Sequence, residues 1–166
     1  MRITKDYAVA AAKAFSGFAS QDSPLRFIYV SGDGATQDPG RFSQTFSRVK
    51  GEAELALAEL RAKSPGLRAE SVRPSYVDAS AHAAIHPYIP DPGLLYRWGA
   101  CIIGPPIRIA ARSFHSPTQP LGQFLMDMAM GKYDGQLDTG AKDIGTLNGG
   151  LRIVENSAFR RMAGVV

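Results

Sequence analysis

Phe46 and Lys50 stand four residues apart in Phe-Ser-Arg-Val-Lys-Gly-Glu-Ala-Glu, a spacing that puts both side chains on one face of a helix. They follow a short apolar run ending in Val30-Ser31-Gly32 and precede a second run ending in Val-Arg-Pro-Ser-Tyr-Val. A serine hydroxyl at a strand end and a lysine ammonium on the next helix are groups that can hold a ligand oxygen. Phe46 has no proton to transfer, and as one of several apolar residues on its helix it also suits a core position. Lys50 likewise suits a solvated surface paired with Glu54. His82 and His86 in His-Ala-Ala-Ile-His have the spacing of zinc-binding histidines. The glutamate of such a motif is missing, Pro87 follows directly and no third ligand is evident, so no metal is expected. Ser31 with His82 or His115 makes no hydrolase pair, because no Gly-x-Ser-x-Gly elbow exists.

The elements that must carry these residues are legible in outline. Residues 4–18 are alanine-rich, with Tyr7, Ala10, Ala11, Ala14, Phe15 and Phe18 at helical spacing, and predict a helix. Phe27-Ile28-Tyr29-Val30, bounded by turn residues, predicts a buried strand of a parallel sheet. After a Gly, Asp and Pro-rich loop from Gly32 to Gly40, a long helix is expected over 43–63, with Phe46, Val49, Ala53, Leu57 and Leu60 as its stripe. Pro65-Gly66 ends it, and Leu67–Arg73 reads as a second strand whose pattern Arg68, Glu70 and Ser71 interrupt. Helix, strand, helix, strand is the rhythm of a βαβ crossover in an α/β protein. Beyond Pro74 seven prolines argue for loops and short helices, over 94–103, 107–114 and 119–130. The last of these carries Leu121, Phe124, Leu125, Met128 and Ala129 on one face. The tail predicts a strand over 151–154 and a helix over 157–162 with Asn156 as its N-cap.

Length and composition bound the function. With 166 residues the chain suits a single domain, divided at about residue 77 into the crossover and a more irregular part. Nineteen Lys and Arg against fifteen Asp and Glu leave a net charge of +4, spread without a block of like charges, which gives no nucleic-acid signature. A single cysteine, Cys101, excludes an internal disulfide framework and a cysteine-built zinc site. No signal-peptide pattern opens the chain. The most apolar later stretch, 93–109, is broken by Arg97, Pro105, Pro106 and Arg108, so no membrane span is expected and the cytoplasm is the default location.

Over Ile3 to Val77 these features resemble the short-chain dehydrogenase/reductases, specifically their atypical, epimerase-like branch. In that family a strand ends in a serine-bearing loop, the next helix carries Tyr-x-x-x-Lys, and the following strand ends in Arg-Pro beside the nicotinamide. Here Ser31 or its neighbours match the serine loop, Lys50 the lysine and Arg73-Pro74 the closing turn, while Phe46 stands at the tyrosine position. The resemblance implies a partial Rossmann-like fold with a short parallel sheet, helices around it and an irregular helical C-terminal part. It implies NAD or NADP as cofactor, with Lys50 on the ribose and Pro74 and Ser75 as the nicotinamide wall. Ser31 would hold the oxygen of a small carbonyl or hydroxy substrate, and Tyr76, His82 and His86 would line its pocket. Phenols ionise near pH 10 unless a neighbouring ammonium stabilises the anion, which is the service the family's lysine performs. Ser31, Phe46 and Lys50 therefore mark the catalytic positions, with the acid–base group replaced at Phe46.

The family's phosphate-binding glycine fingerprint has no match. Gly32-Asp33-Gly34 follows a strand but leads into Thr36-Gln37-Asp38-Pro39-Gly40 and reads as a turn. The sequence thus looks like the C-terminal half of an epimerase-like reductase, with the Phe27–Val30 strand left unpaired on one side. Two functions follow. One is an NAD(P)-dependent oxidoreductase or epimerase-like protein, truncated and impaired in catalysis. The other is a non-catalytic Rossmann-like remnant that serves as a binding or assembly module, alone, as a homo-oligomer or with a partner chain completing the sheet.

Overall fold

The computed structural model of the chain describes residues 2–91, 93, 102 and 111–165. Helix α1 (Arg2–Ser16) leads to strand β1 (Leu25–Val30), helix α2 (Thr45–Lys63) and strand β2 (Leu67–Arg73), the expected succession. Strand β1 runs parallel to β2, in register from Leu25 opposite Leu67 to Val30 opposite Val72. Later in the chain, β5 (Ile144–Thr146) and β6 (Arg152–Glu155) complete a four-stranded sheet in the order β1-β2-β6-β5. Strand β6 is parallel to β2, and β5 is antiparallel to β6. The chain is therefore a mixed α/β protein built on a small, mainly parallel sheet. Among the described residues, β1 has a strand on one side only.

Both faces of the sheet are covered by helices. On one face Tyr29, Leu67, Ala69 and Ile153 pack against Ala12 of α1 and Ala53, Leu57 and Ala58 of α2. On the other, Val72 and Val154 meet helix α3 (Thr118–Ala129) and helix α5 (Asn156–Met162) through Leu121, Phe124, Met128, Ala158 and Phe159. The alternation of Ile153 and Val154 between the two clusters is the two-residue period of a strand. Short α4 (Asp134–Leu137) adds Leu137 to the second cluster. No helix among the described residues is long and apolar enough to cross a membrane.

Several expectations are corrected. Helix α1 turns Ala8, Val9 and Ala12 inward, while Tyr7, Phe15 and Phe18 are exposed. Small side chains let α1 pack against α2, with Ala8 and Ala12 in the packing face. Ala129 of α3 is exposed, and α3 ends there. Asn156 is no N-cap: Glu155 holds that position without a side-chain bond, and Asn156 is the first helical residue. The Asn156 side chain instead accepts from Ser116 Oγ at 2.7 Å and donates to Ser113 O at 2.5 Å, tying α5 to the segment before it. Strands β3 (Tyr76–Asp78) and β4 (His115–Pro117), which pair in parallel, fall where loops are expected; each is three residues long. His86 and Pro87 lie in a 3₁₀ helix, Ala83–Tyr88, which His82 precedes. The helix expected over 94–103 lies outside the described residues, apart from the single residue Ile102. Of that over 107–114, the described part is a 3₁₀ turn, Arg112–Phe114.

The outer strand is anchored by charge. Arg26 of β1 grips Asp134, the first residue of α4, through two bonds of 2.7 and 2.5 Å. The hydrogen bonds from Arg26 hold the Asp134 carboxyl below the ordinary aspartate range. A lowered carboxylate pKa adds stability that is fully present above the unfolded value and lost as pH falls through the folded one. Asp134 is a third exposed, so solvent screens part of the interaction. Asp134→Asn is therefore expected to cost about 1 kcal/mol at neutral pH. The difference from the parent should shrink at pH values below the carboxylate range, as urea unfolding at the two pH values will read.

Candidate functional site

The loop after β1 is held against the end of β2 by its backbone. Ser31 N donates to Val72 O at 2.8 Å and Asp33 N to Pro74 O at 2.9 Å. Gly32, Asp33 and Gly34 then turn, with Gly34 in the left-handed region at φ 78° and Ala35 N bonded to Gly32 O at 3.1 Å. Farther on, Thr36 N donates to Ser47 O at 3.1 Å, which seats the loop on the first turn of α2. Helix α2 carries a glycine at this contact: a Cβ on Gly51 would fall inside the van der Waals shell of the Thr36 carbonyl oxygen.

Between these segments, at the C-terminal ends of β1 and β2, lies a cleft of about 420 Å³. Val30 to Asp33 line one side, Pro74, Ser75 and Val77 another, and Phe46 of α2 a third. Ser31, Phe46, Pro74 and Ser75 thus line one cleft. Phe46 is not a core residue. Its side chain is 53% exposed, and its ring lies where a Cβ on Gly32 would meet it at 3.3 Å. Asp33, which the sequence reading passed over, accepts from Ser75 Oγ at 2.9 Å and links the two walls. Ser31 is only 4% exposed, and its Oγ has no hydrogen-bond partner among the described residues.

Lys50 reaches the same end of the sheet. Its ammonium donates to Val30 O at 3.0 Å and Ser31 O at 2.5 Å. It also lies 5.6 Å from the Tyr29 ring centre and 5.1 Å from that of Phe46. Burial lowers its pKa from the ordinary lysine value, an effect the negative charge of Glu54 opposes. The surface pair of Lys50 with Glu54 is not formed. Glu54 is fully buried and accepts from Ser71 Oγ at 2.8 Å, from Arg73 Nε and Nη2 at 3.0 and 2.6 Å, and from Gln37 Nε2 at 2.5 Å. Arg73 also reaches Glu155 of β6 at 2.9 Å. Burial pushes the Glu155 carboxyl above the ordinary glutamate range despite the charge of Arg73. One carboxylate thereby joins the loop after β1, the end of β2 and, through Arg73, β6. The sequence signal for it is the second glutamate of Gly-Glu-Ala-Glu, one turn beyond Lys50 on the inward face.

Tyr76, His82 and His86 are not among the residues that line the cleft. Tyr76 opens β3, His82 Nδ1 lies 3.1 Å from Thr118 Oγ1, and His86 Nε2 lies 2.9 Å from Ala79 O. A cavity of similar size, about 440 Å³, opens between α1 and the start of α2 beside the Lys5–Glu52 ion pair, and contains none of the sequence-predicted residues.

No family model matches the chain, and no solved structure matches it. Botcinic acid biosynthesis cluster B protein 16 of Botryotinia fuckeliana (strain B05.10) is 41% identical to it over 159 residues, which cover 95% of this chain and 99% of that protein. At that identity, over almost the whole of both chains, the protein belongs to the same family as Botcinic acid biosynthesis cluster B protein 16.

Proposed function

We propose that the cleft receives the oxygen of a small carbonyl or hydroxy metabolite. It would be the substrate end of an NAD(P)-dependent oxidoreductase- or epimerase-like protein of the atypical short-chain dehydrogenase type, with Phe46 where the proton donor would stand. Ser31 is the observation that carries this reading. A buried hydroxyl without a partner costs about 1–3 kcal/mol, and because Ser31 lines the cleft, a turn of its side chain toward a ligand oxygen there would recover that cost. The location agrees, since open α/β sheets take ligands outside the carboxyl ends of their strands. The name of the relative, from a biosynthesis cluster, favours a small-molecule role.

The described residues do not fit the whole of NAD or NADP. Pro74 and Ser75 offer a flat wall, but Lys50 would have to release a carbonyl to reach a ribose. The glycine turn at 32–34 opens no helix, since α2 starts only at Thr45, so it gives a pyrophosphate no helix N-terminus. With Phe46 unable to move a proton, the function proposed for this chain is binding without turnover.

Hydroxyacetone titrated into isotope-labelled protein tests it. The amide resonances of Ser31, Gly32, Asp33 and Ser75 are expected to shift saturably at millimolar ligand. Ser31→Ala is expected to weaken the response about tenfold, the worth of one hydrogen bond. Shifts spread elsewhere, or unchanged in the variant, would refute the site. NADPH or NADH is expected to shift none of these resonances; a saturable shift with either restores a dinucleotide site. The alternative of an assembly module is favoured by the one-sided pairing of β1, and concentration-dependent sedimentation of the chain would support it.

A further inference from the structure

Arg61 lies eleven residues beyond Lys50 on α2, about 16 Å along the helix and away from the cleft. There a second cavity, of about 320 Å³, opens near the start of β6. Arg61 and Arg152 line it, together with Asp138, Thr146 and the apolar side chains of Leu137 and Ile144. Arg152 is the first residue of β6, is 7% exposed, and stands opposite Glu70 of β2. Its Nη2 donates to Glu70 Oε1 and its Nη1 to Asp138 Oδ1 at 2.6 Å, but its Nε has no partner among the described residues. Arg61 Nη1 donates to Ala69 O at 2.8 Å, and this is the guanidinium's one hydrogen bond among the described residues. Gly150, at φ 81°, flanks it: a Cβ there would sit 3.4 Å from Arg61 Nε, so glycine keeps that edge open.

Two guanidiniums with unused N–H groups share one cavity, and each raises the electrostatic cost of the other. Burial, followed by the charge of Arg152, lowers the pKa of Arg61. Arg152 is paired with Glu70 and Asp138 and Arg68 with Asp134, so Arg61 is the guanidinium of this cavity that has no carboxylate partner among the described residues. A ligand carboxylate would supply one. Planar guanidinium forks match a carboxylate, and the aliphatic lining suits a short alkyl chain.

We propose that this pocket is a second ligand site, in which Arg61 and Arg152 hold the carboxylate of a small monocarboxylic acid and Leu137 and Ile144 contact its chain. Thermal unfolding in sodium butyrate, against sodium chloride at equal ionic strength, tests it. At tenfold excess over its dissociation constant, butyrate is expected to raise Tm by about 3–5 °C beyond chloride. Inorganic phosphate, with its higher charge, is expected to raise it less, and a larger shift with phosphate overturns the carboxylate assignment. Arg61→Gln is expected to abolish the butyrate shift. Asp138→Asn removes an exposed competing charge and is expected to tighten butyrate several-fold, and it decides the matter should Arg61→Gln fail to fold. No shift beyond chloride, or an equal shift in parent and variants, reduces the cluster to a structural ion pair and overturns the site.

Discussion

Replacing Glu54 by alanine is expected to destabilise the protein by about 3–5 kcal/mol, the cost of removing one partner from a buried ion pair. The size follows from what is left behind. Arg73 would keep a buried positive charge with Glu155 as its remaining carboxylate partner among its hydrogen bonds, and Ser71 and Gln37 would lose their acceptor. Burial alone would lower the proton affinity of Arg73, yet its bonds to Glu54 and the charge behind them hold it above the ordinary arginine range. The pair is therefore interdependent, and Glu54 cannot leave without stranding Arg73. A loss of this size is a large share of the 5–15 kcal/mol that a folded domain commands. Urea unfolding will measure it. A change below about 1 kcal/mol would mean that the carboxylate is solvated and that the network does not hold the end of β2. Glu54→Gln keeps the shape and the acceptor for Ser71 but loses the charge, so an intermediate cost is expected.

Gly51→Ala is expected to act against helix propensity. In an open helix alanine is worth about 1 kcal/mol over glycine. At Gly51 the added methyl would meet the backbone carbonyl of Thr36, which cannot rotate away as a side-chain tip could. Overpacking of this kind costs about 1–3 kcal/mol, and strain against backbone lies at the upper end. The variant is expected to melt lower, and the amides of Ser31 to Asp33 should lose their response to hydroxyacetone as the loop lifts from α2. If alanine stabilises the protein, the loop after β1 is not seated on α2, and the cleft wall built from it is lost as well. Gly51 thus serves the site without touching any ligand: its missing side chain lets the Ser31 loop close on the helix that carries Phe46 and Lys50.

How much of this was legible depended on whether a residue's role was local. The α1-β1-α2-β2 succession could be read because each element carries its own periodicity and stop signals. The place of β2 could not. Arg68, Glu70 and Ser71 look like interruptions, yet β2 is a central strand, and the buried Glu70 and Ser71 find partners at distant positions, Arg152 for Glu70 Oε1 and Glu54 for the Ser71 hydroxyl. For the same reason Glu54 reads as a surface glutamate until Arg73 is brought to it. Strands β3, β4 and β5 are three residues each, too short for an alternation to show. At the site, it was the resemblance, not spacing alone, that named Ser31, Phe46, Lys50 and Pro74 together, and all four lie at one end of the sheet. It could not show that the ammonium of Lys50 is spent on the carbonyls of Val30 and Ser31, or that Phe46 is exposed.

The one-sided pairing of β1 among the described residues has a consequence beyond the fold. Leu-Arg-Phe-Ile-Tyr-Val is six residues long, free of proline and glycine, and rich in the side chains that interdigitate in dry zippers. Its sole charge, Arg26, is neutralised by Asp134 and does not repel an approaching copy. A rim of this composition, where nothing covers it, can template fibrils on concentration, and solubility in storage should then depend on whatever caps that rim as much as on the melting temperature.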